Sequence, residues 1–127
     1  MANFQLNHIS LCVRDPNRSS RFYLDLFMML GLPAEARGVG ENIMILSQKG
    51  ASIGLKKSEK SGSREGVDHF GFTTGSKEDL EEIARKLSAN NITFERKKHR
   101  DNSESIFLND LDGYKLQIVY MPSDMYF

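Results

Sequence analysis

Residues 108–120, LNDLDGYKLQIVY, read as a strand, a tight turn at Asp110-Leu111-Asp112-Gly113 and a second strand. In the second strand Leu116, Ile118 and Tyr120 alternate with Lys115, Gln117 and Val119. Successive strand side chains point to opposite faces, so the apolar set marks the face that packs on a helix. Gln117 then points away from the helix, beside Lys115 and Val119. If that face lines a pocket, residue 117 meets whatever the pocket holds.

The same parity recurs at the start of each half of the chain. In NHISLCV, residues 7–13, Ile9, Leu11 and Val13 form the apolar side, leaving His8, Ser10 and Cys12 opposite. In DHFGFTT, residues 68–74, Phe70 and Phe72 oppose His69, Gly71 and Thr73. A helix follows each strand. Asp15-Pro16 supplies an N-cap and a proline suited to the first helical position. Phe22, Leu26, Met29 and Leu30 follow at helical spacing, with Gly31 as the stop, and the methionines of FMML are expected in the core. Ser76 with Asp79 three residues on resembles a capping box, and Leu80, Ile83, Ala84 and Leu87 make the second helical stripe before Asn90-Asn91.

The remaining strands are expected at Asn42–Ser47 and Ala51–Lys56, after a turn-rich lead-in from residue 34, and at Ile92–Lys97, Ser105–Leu108 and Tyr114–Tyr120. The order is therefore strand, helix, strands, given twice. One domain, 1–127, is expected, built of half-units 1–57 and 67–127 joined by the polar linker 58–66. Laying NHISLCV on DHFGFTT, and MILSQKGASIGL on IFLNDLDGYKLQIV, puts His8 on His69 and Gly54 on Gln117. A duplicated unit places such positions at symmetry-related points. The fold class is α+β: paired βαβββ units whose curved mixed sheet surrounds a pocket.

Composition limits the function classes. The 127 residues carry 17 Lys plus Arg against 17 Asp plus Glu, so net charge gives no case for nucleic acid or membrane. The basic run Arg96–Arg100 reads as a solvated edge, with His99 exposed in it. Cys12 is the single cysteine, which fits a reducing compartment, and no signal peptide or membrane span is read. The expectation is a cytoplasmic protein with a small-molecule ligand. Cys12 has no visible base partner and reads as a small buried residue rather than a nucleophile.

With NHISLCVRD, SSRFYLDLFMMLGL, GVDHFGFTT and FLNDLDGYKLQIV in this order, the chain resembles the vicinal oxygen chelate superfamily of glyoxalases, bleomycin-resistance proteins and ring-cleaving dioxygenases. The resemblance covers nearly the whole chain and implies a glyoxalase-like fold, a divalent metal and a homodimer. His8, His69 and Gln117 match the family's ligand positions, the last being a glutamate in the family pattern. Gly54 matches a fourth ligand position and offers no side chain. Ser10, Cys12, Thr73, Tyr114 and Lys115 are expected to line the substrate pocket.

An amide gives a metal an oxygen donor and no charge. Two imidazoles and an amide leave the full 2+ charge of the ion uncompensated, which disfavours Mg²⁺, Mn²⁺ and Fe²⁺ relative to the imidazole-accepting Zn²⁺ and Ni²⁺. Glyoxalase I proper and iron-dependent ring cleavage are disfavoured with the carboxylates at 54 and 117 missing. The expected function is a metal-dependent isomerase, lyase or transferase acting on a small oxygen-bearing substrate, with no general base nominated. The alternative is a metal-free binding protein of the bleomycin-resistance kind.

Overall fold

The alternation of residues 8–13 becomes strand β1 (His8–Val13), in which Leu11 and Val13 are buried and His8 and Ser10 exposed. The computed structural model describes residues 6–47, 52–59, 67–100 and 102–122. Helix α1 (Pro16–Met29) starts where proline predicts it. The Asp15 carboxylate accepts from the backbone N–H groups of Asn17 (3.1 Å) and Arg18 (3.2 Å), which have no partner within the helix. Losing this cap is expected to cost about 1 kcal/mol, so Asp15→Ala should lower the thermal midpoint by a few degrees in a calorimetric scan. An unchanged midpoint would mean water replaces the carboxylate without loss.

The buried face of α1 is Ser19, Ser20, Tyr23, Leu26 and Phe27, rotated from the expected stripe. Phe22, Met29 and Leu30 lie at its margin, and Met28 is 77% exposed rather than in the core. The reason is angular: positions 19, 23, 26 and 27 share one face at 3.6 residues per turn, with Tyr23 at its centre. Phe22 packs edge-on to Tyr23 at 5.2 Å between ring centres. The chain leaves the helix through Gly31, at φ 71°, a conformation glycine takes without Cβ strain.

Strands β2 (Ala34–Val39), β3 (Asn42–Ser47) and β4 (Ser52–Lys57) complete the first unit. Its sheet has the order β1-β4-β3-β2, with β1 parallel to β4 and the other pairs antiparallel. The second unit repeats the plan: β5 (Phe70–Thr73), α2 (Lys77–Ala89), β6 (Glu95–Lys98), β7 (Glu104–Asn109) and β8 (Lys115–Tyr120), in sheet order β5-β8-β7-β6. The first unit takes in Met1–Ser63 and the second Arg64–Phe127. Most of the segment expected as linker, from residue 60 to 66, lies outside the described residues, as does the expected turn 48–50.

Each unit is a four-stranded mixed sheet with one helix on it, an α+β arrangement with no closed barrel among the described residues. Helix α1 packs on β2, β3 and β4, and the core there holds Phe27, Ile45, Ile53 and Leu55. Helix α2 packs on β7 and β8 over Leu80, Ile83, Leu87, Ile106, Leu116 and Ile118. Ser76 caps α2 by accepting from the Asp79 backbone N–H at 3.1 Å. The exposed edge strand β6 is tied to α2 where Arg96 donates to both oxygens of Glu81, one of them at 3.0 Å. That hydrogen bond holds the Glu81 carboxyl below its usual range and the Arg96 guanidinium above its own. A lowered carboxyl pKa adds stability at neutral pH, and this is lost as pH falls through the lowered value. No helix among the described residues is long and apolar enough to cross a membrane.

Candidate functional site

The site is built by register. In the second unit β5 runs parallel to β8 with Gly71 opposite Gln117 and Thr73 opposite Val119. Antiparallel β7 places Phe107 opposite Gln117, Ser105 opposite Val119 and Asn109 opposite Lys115. Opposed residues share a face, so Gly71, Thr73, Ser105, Phe107, Asn109, Lys115 and Gln117 line the side of the sheet away from α2. The first unit has the same ladder. Ser10 is opposite Gly54, and Met44 is opposite Gly54 in turn. Counting two residues on from each histidine makes Gly54 the equivalent of Gln117 and Met44 that of Phe107.

Phe107 is the hub of the second unit's polar face. The His69 ring meets it edge-on at 5.7 Å and the His99 ring at 6.3 Å. The Lys115 ammonium sits 5.4 Å from the centre of the same ring, in reach of its negative π face. Beside Phe107, the Gln117 amide nitrogen donates to the Ser105 hydroxyl at 2.7 Å, and that hydroxyl lies 2.8 Å from His99 Nε2. Ser105 is 1% exposed. A cavity of about 340 Å³ opens next to this cluster, between residues 92–95 and Phe107, Asn109 and Lys115. That volume suits a small ligand.

Both strand-opening histidines are oriented by the residue before them. His69 Nδ1 is 2.7 Å from the Asp68 carboxylate, and His8 Nδ1 is 2.9 Å from the Asn7 side-chain oxygen. Both oxygens accept, so each contact places a proton on Nδ1 and leaves Nε2 its lone pair. Among the described residues, His69 Nε2 and Gln117 Oε1 make no hydrogen bond. The cluster therefore offers two lone pairs, one imidazole and one amide.

No three His, Cys, Asp or Glu side chains gather as a metal site among the described residues. The donors offered here suit an ion that accepts imidazole, and a hard ion that needs carboxylates is poorly served. Asp68 offsets part of the missing charge, because a carboxylate behind an imidazole raises its basicity as a ligand. The Gly54 position offers no ligating side chain, and a Cβ there would meet the ends of two side chains that would have to turn, Ser10 Oγ at 2.6 Å and Met44 Sδ at 3.1 Å.

The expected site residues separate as follows. His69, Lys115 and Gln117 gather around Phe107. Thr73 lies exposed on the same face, further along β5. Tyr114 is 7% exposed and continues the alternation of Leu116 and Ile118, which places it with the core rather than with Lys115. His8, Ser10 and Cys12 share one face of β1 in the first unit, with Cys12 half-buried. His99, expected in solvent, is instead half-buried because its ring reaches back to Ser105 and Phe107. Ser105 and Phe107 escape a sequence reading, since only the β7–β8 register brings them to Gln117. Asn7 and Asp68 carried a signal in the repeated dipeptides Asn-His and Asp-His.

The family model described as Glyoxalase/Bleomycin resistance protein/Dioxygenase superfamily matches residues 5–118. No curated protein matches the chain. Among solved structures, a glyoxylase/bleomycin resistance protein/dioxygenase domain from Frankia sp. EAN1pec is 22% identical, with a TM-score of 0.76 over 98% of this chain and 97% of that one. Lactoylglutathione lyase from Agrobacterium tumefaciens is 17% identical, with a TM-score of 0.73 over 94% and 96%. The fosfomycin resistance protein FosX from Listeria monocytogenes is 20% identical, with a TM-score of 0.73 over 94% of each chain. At these identities the likeness is one of fold.

Proposed function

The chain belongs to the Glyoxalase/Bleomycin resistance protein/Dioxygenase superfamily, and on that premise we propose that it is a small-molecule enzyme whose substrate oxygens are chelated by a divalent metal. His69 and Gln117 are its ligands in the second unit, and His8 is the corresponding candidate ligand of the first. The observation that carries this reading is the pair of acceptors, His69 Nε2 and Gln117 Oε1, which make no hydrogen bond among the described residues while the other end of each side chain is held by one. A bound divalent ion supplies Lewis-acid polarisation of the substrate's oxygens. Zinc or nickel suits these donors.

The chain's own groups define the rest. The cavity beside Phe107 takes the substrate's body against the aromatic ring. Lys115, on the same ring, offers positive charge to an anionic substrate or to negative charge that grows during reaction. An anionic substrate also restores the charge balance that Gln117 leaves open. Thr73, Ser10 and Cys12 are the further pocket-lining candidates. Isomerase, lyase and thiol-transferase chemistry all fit this arrangement, and a homodimer is part of the same reading. One observation favours a second reading, a metal-free binding protein: Gly54 and Gln117 both lack the carboxylate, and neighbouring side chains fill the space at Gly54.

The deciding substitution is Gln117→Glu. A carboxylate in direct contact with the ion should tighten zinc or nickel binding about 10-fold or more, read by titration calorimetry of the full chain. Unchanged affinity would place residue 117 outside the ligand set and favour the metal-free binder.

A further inference from the structure

We propose that Ser105 and His99 are positioning residues for Gln117, forming a hydrogen-bonded relay that turns its amide so the carbonyl oxygen faces the open side. The inference rests on the reading that Gln117 is a ligand. It adds the two residues that make an amide serve as one.

A glutamine side chain has a donor end and an acceptor end, and rotation by half a turn exchanges them. At residue 117 the exchange decides the chemistry. With the oxygen outward, the position offers a lone pair to a cation. With the nitrogen outward, it offers two N–H groups and repels one. Gln117 is half-buried, and its amide nitrogen is spent on Ser105 Oγ at 2.7 Å. Ser105 sits on β7 at 1% exposure, where its hydroxyl has no water to turn to.

The hydroxyl has one proton to give. As it accepts from Gln117, the proton is left for His99 Nε2, 2.8 Å away. No buried polar side-chain atom is left unsatisfied among the described residues. The order that gives this buried hydroxyl both a donor and an acceptor runs from amide to hydroxyl to imidazole, with the His99 proton on Nδ1. A ring protonated on Nε2 would also donate to Ser105, and the buried hydroxyl would then find an acceptor for its own proton in this cluster only if the amide turned its oxygen inward. His99 therefore sets the polarity of Gln117 from two hydrogen bonds away. The ring is held in place by its edge-on contact with Phe107 and by the backbone bond from His99 N–H to the Ser103 carbonyl, 2.9 Å, at the end of the β6–β7 ladder.

The test combines ring nitrogen NMR of the full chain with Zn²⁺ titration calorimetry on wild type, His99→Ala, His99→Gln and Gln117→Ala. The expected result is a His99 ring with its proton on Nδ1. Zn²⁺ binding should weaken about 10-fold in His99→Ala, the scale of losing an outer partner of a ligand, and recover in His99→Gln, whose carbonyl can accept from Ser105. Recovery separates positioning from a general packing role. A ring protonated on Nε2 overturns the relay. So does Zn²⁺ affinity that falls in Gln117→Ala and stays at wild type in His99→Ala, an outcome that leaves the proposed function standing. Wild-type affinity in Gln117→Ala overturns the proposed ligand set, and the relay's role with it.

Discussion

Replacing His69 with alanine is expected to weaken Zn²⁺ or Ni²⁺ binding by about 100-fold or more. Loss of an outer partner alone costs about 10–100-fold in affinity, and a direct ligand counts for more. His69 also brings a carboxylate to the donor pair, through the 2.7 Å contact from Nδ1 to Asp68. Removing the ring deletes the donor and disconnects that negative charge. The substitution is a clean one for the fold. The His69 side chain is 38% exposed and precedes β5, where a surface change usually alters stability by roughly 0.5 kcal/mol or less. A circular dichroism melt beside the calorimetry separates lost binding from lost structure. Unaltered metal affinity in a folded His69→Ala protein would remove this imidazole from the ligand set.

Gly71→Ala is expected to destabilise the second unit by about 1–3 kcal/mol and to weaken the metal site with it. A Cβ at residue 71 would lie 2.9 Å from the Gln117 backbone oxygen, 3.1 Å from its Cβ and 3.3 Å from Oε1. Ordinarily alanine gains about 0.5–1 kcal/mol over glycine in a strand by restricting the unfolded chain. Here the clash decides the sign, because the nearest atom belongs to the β8 backbone and cannot rotate away. Gly54→Ala is the matched comparison in the first unit. Its nearest contact, Ser10 Oγ at 2.6 Å, is the end of a side chain that can turn, so the loss should be smaller. Thermal unfolding of the two variants tests the contrast. Equal losses would mean that β8 shifts as readily as the Ser10 hydroxyl.

Strand parity made much of this architecture legible. Leu11 and Val13 against His8 and Ser10, and Leu116 and Ile118 against Gln117, declare which face meets a helix, and the ladders bear out the equivalence of Gly54 and Gln117. Strand β2 was not legible. AEARGV lacks apolar alternation, and its strand character comes from pairing along its length with β3. The first helix was placed correctly with its face misjudged, because Phe22, Met29 and Leu30 are as apolar as the residues that are buried. For the site, the residue types His8, His69 and Gln117 could be read from the chain. Their supports were a different matter. The contacts from Phe107 and Ser105 to Gln117 depend on the register between β7 and β8, and His99 joins them only because the β6–β7 hairpin returns its ring to Ser105. A basic run in the sequence concealed the one residue in it that turns inward.

The most direct test of the metal-binding claim is the metal content of the full chain purified without an affinity tag or chelator, measured beside His69→Ala. The expected result is about one zinc or nickel ion per chain, lost in the variant. Wild-type protein that holds no stoichiometric metal, even after incubation with each ion in turn, would contradict it and make the amide at residue 117 part of a pocket that binds its ligand unaided.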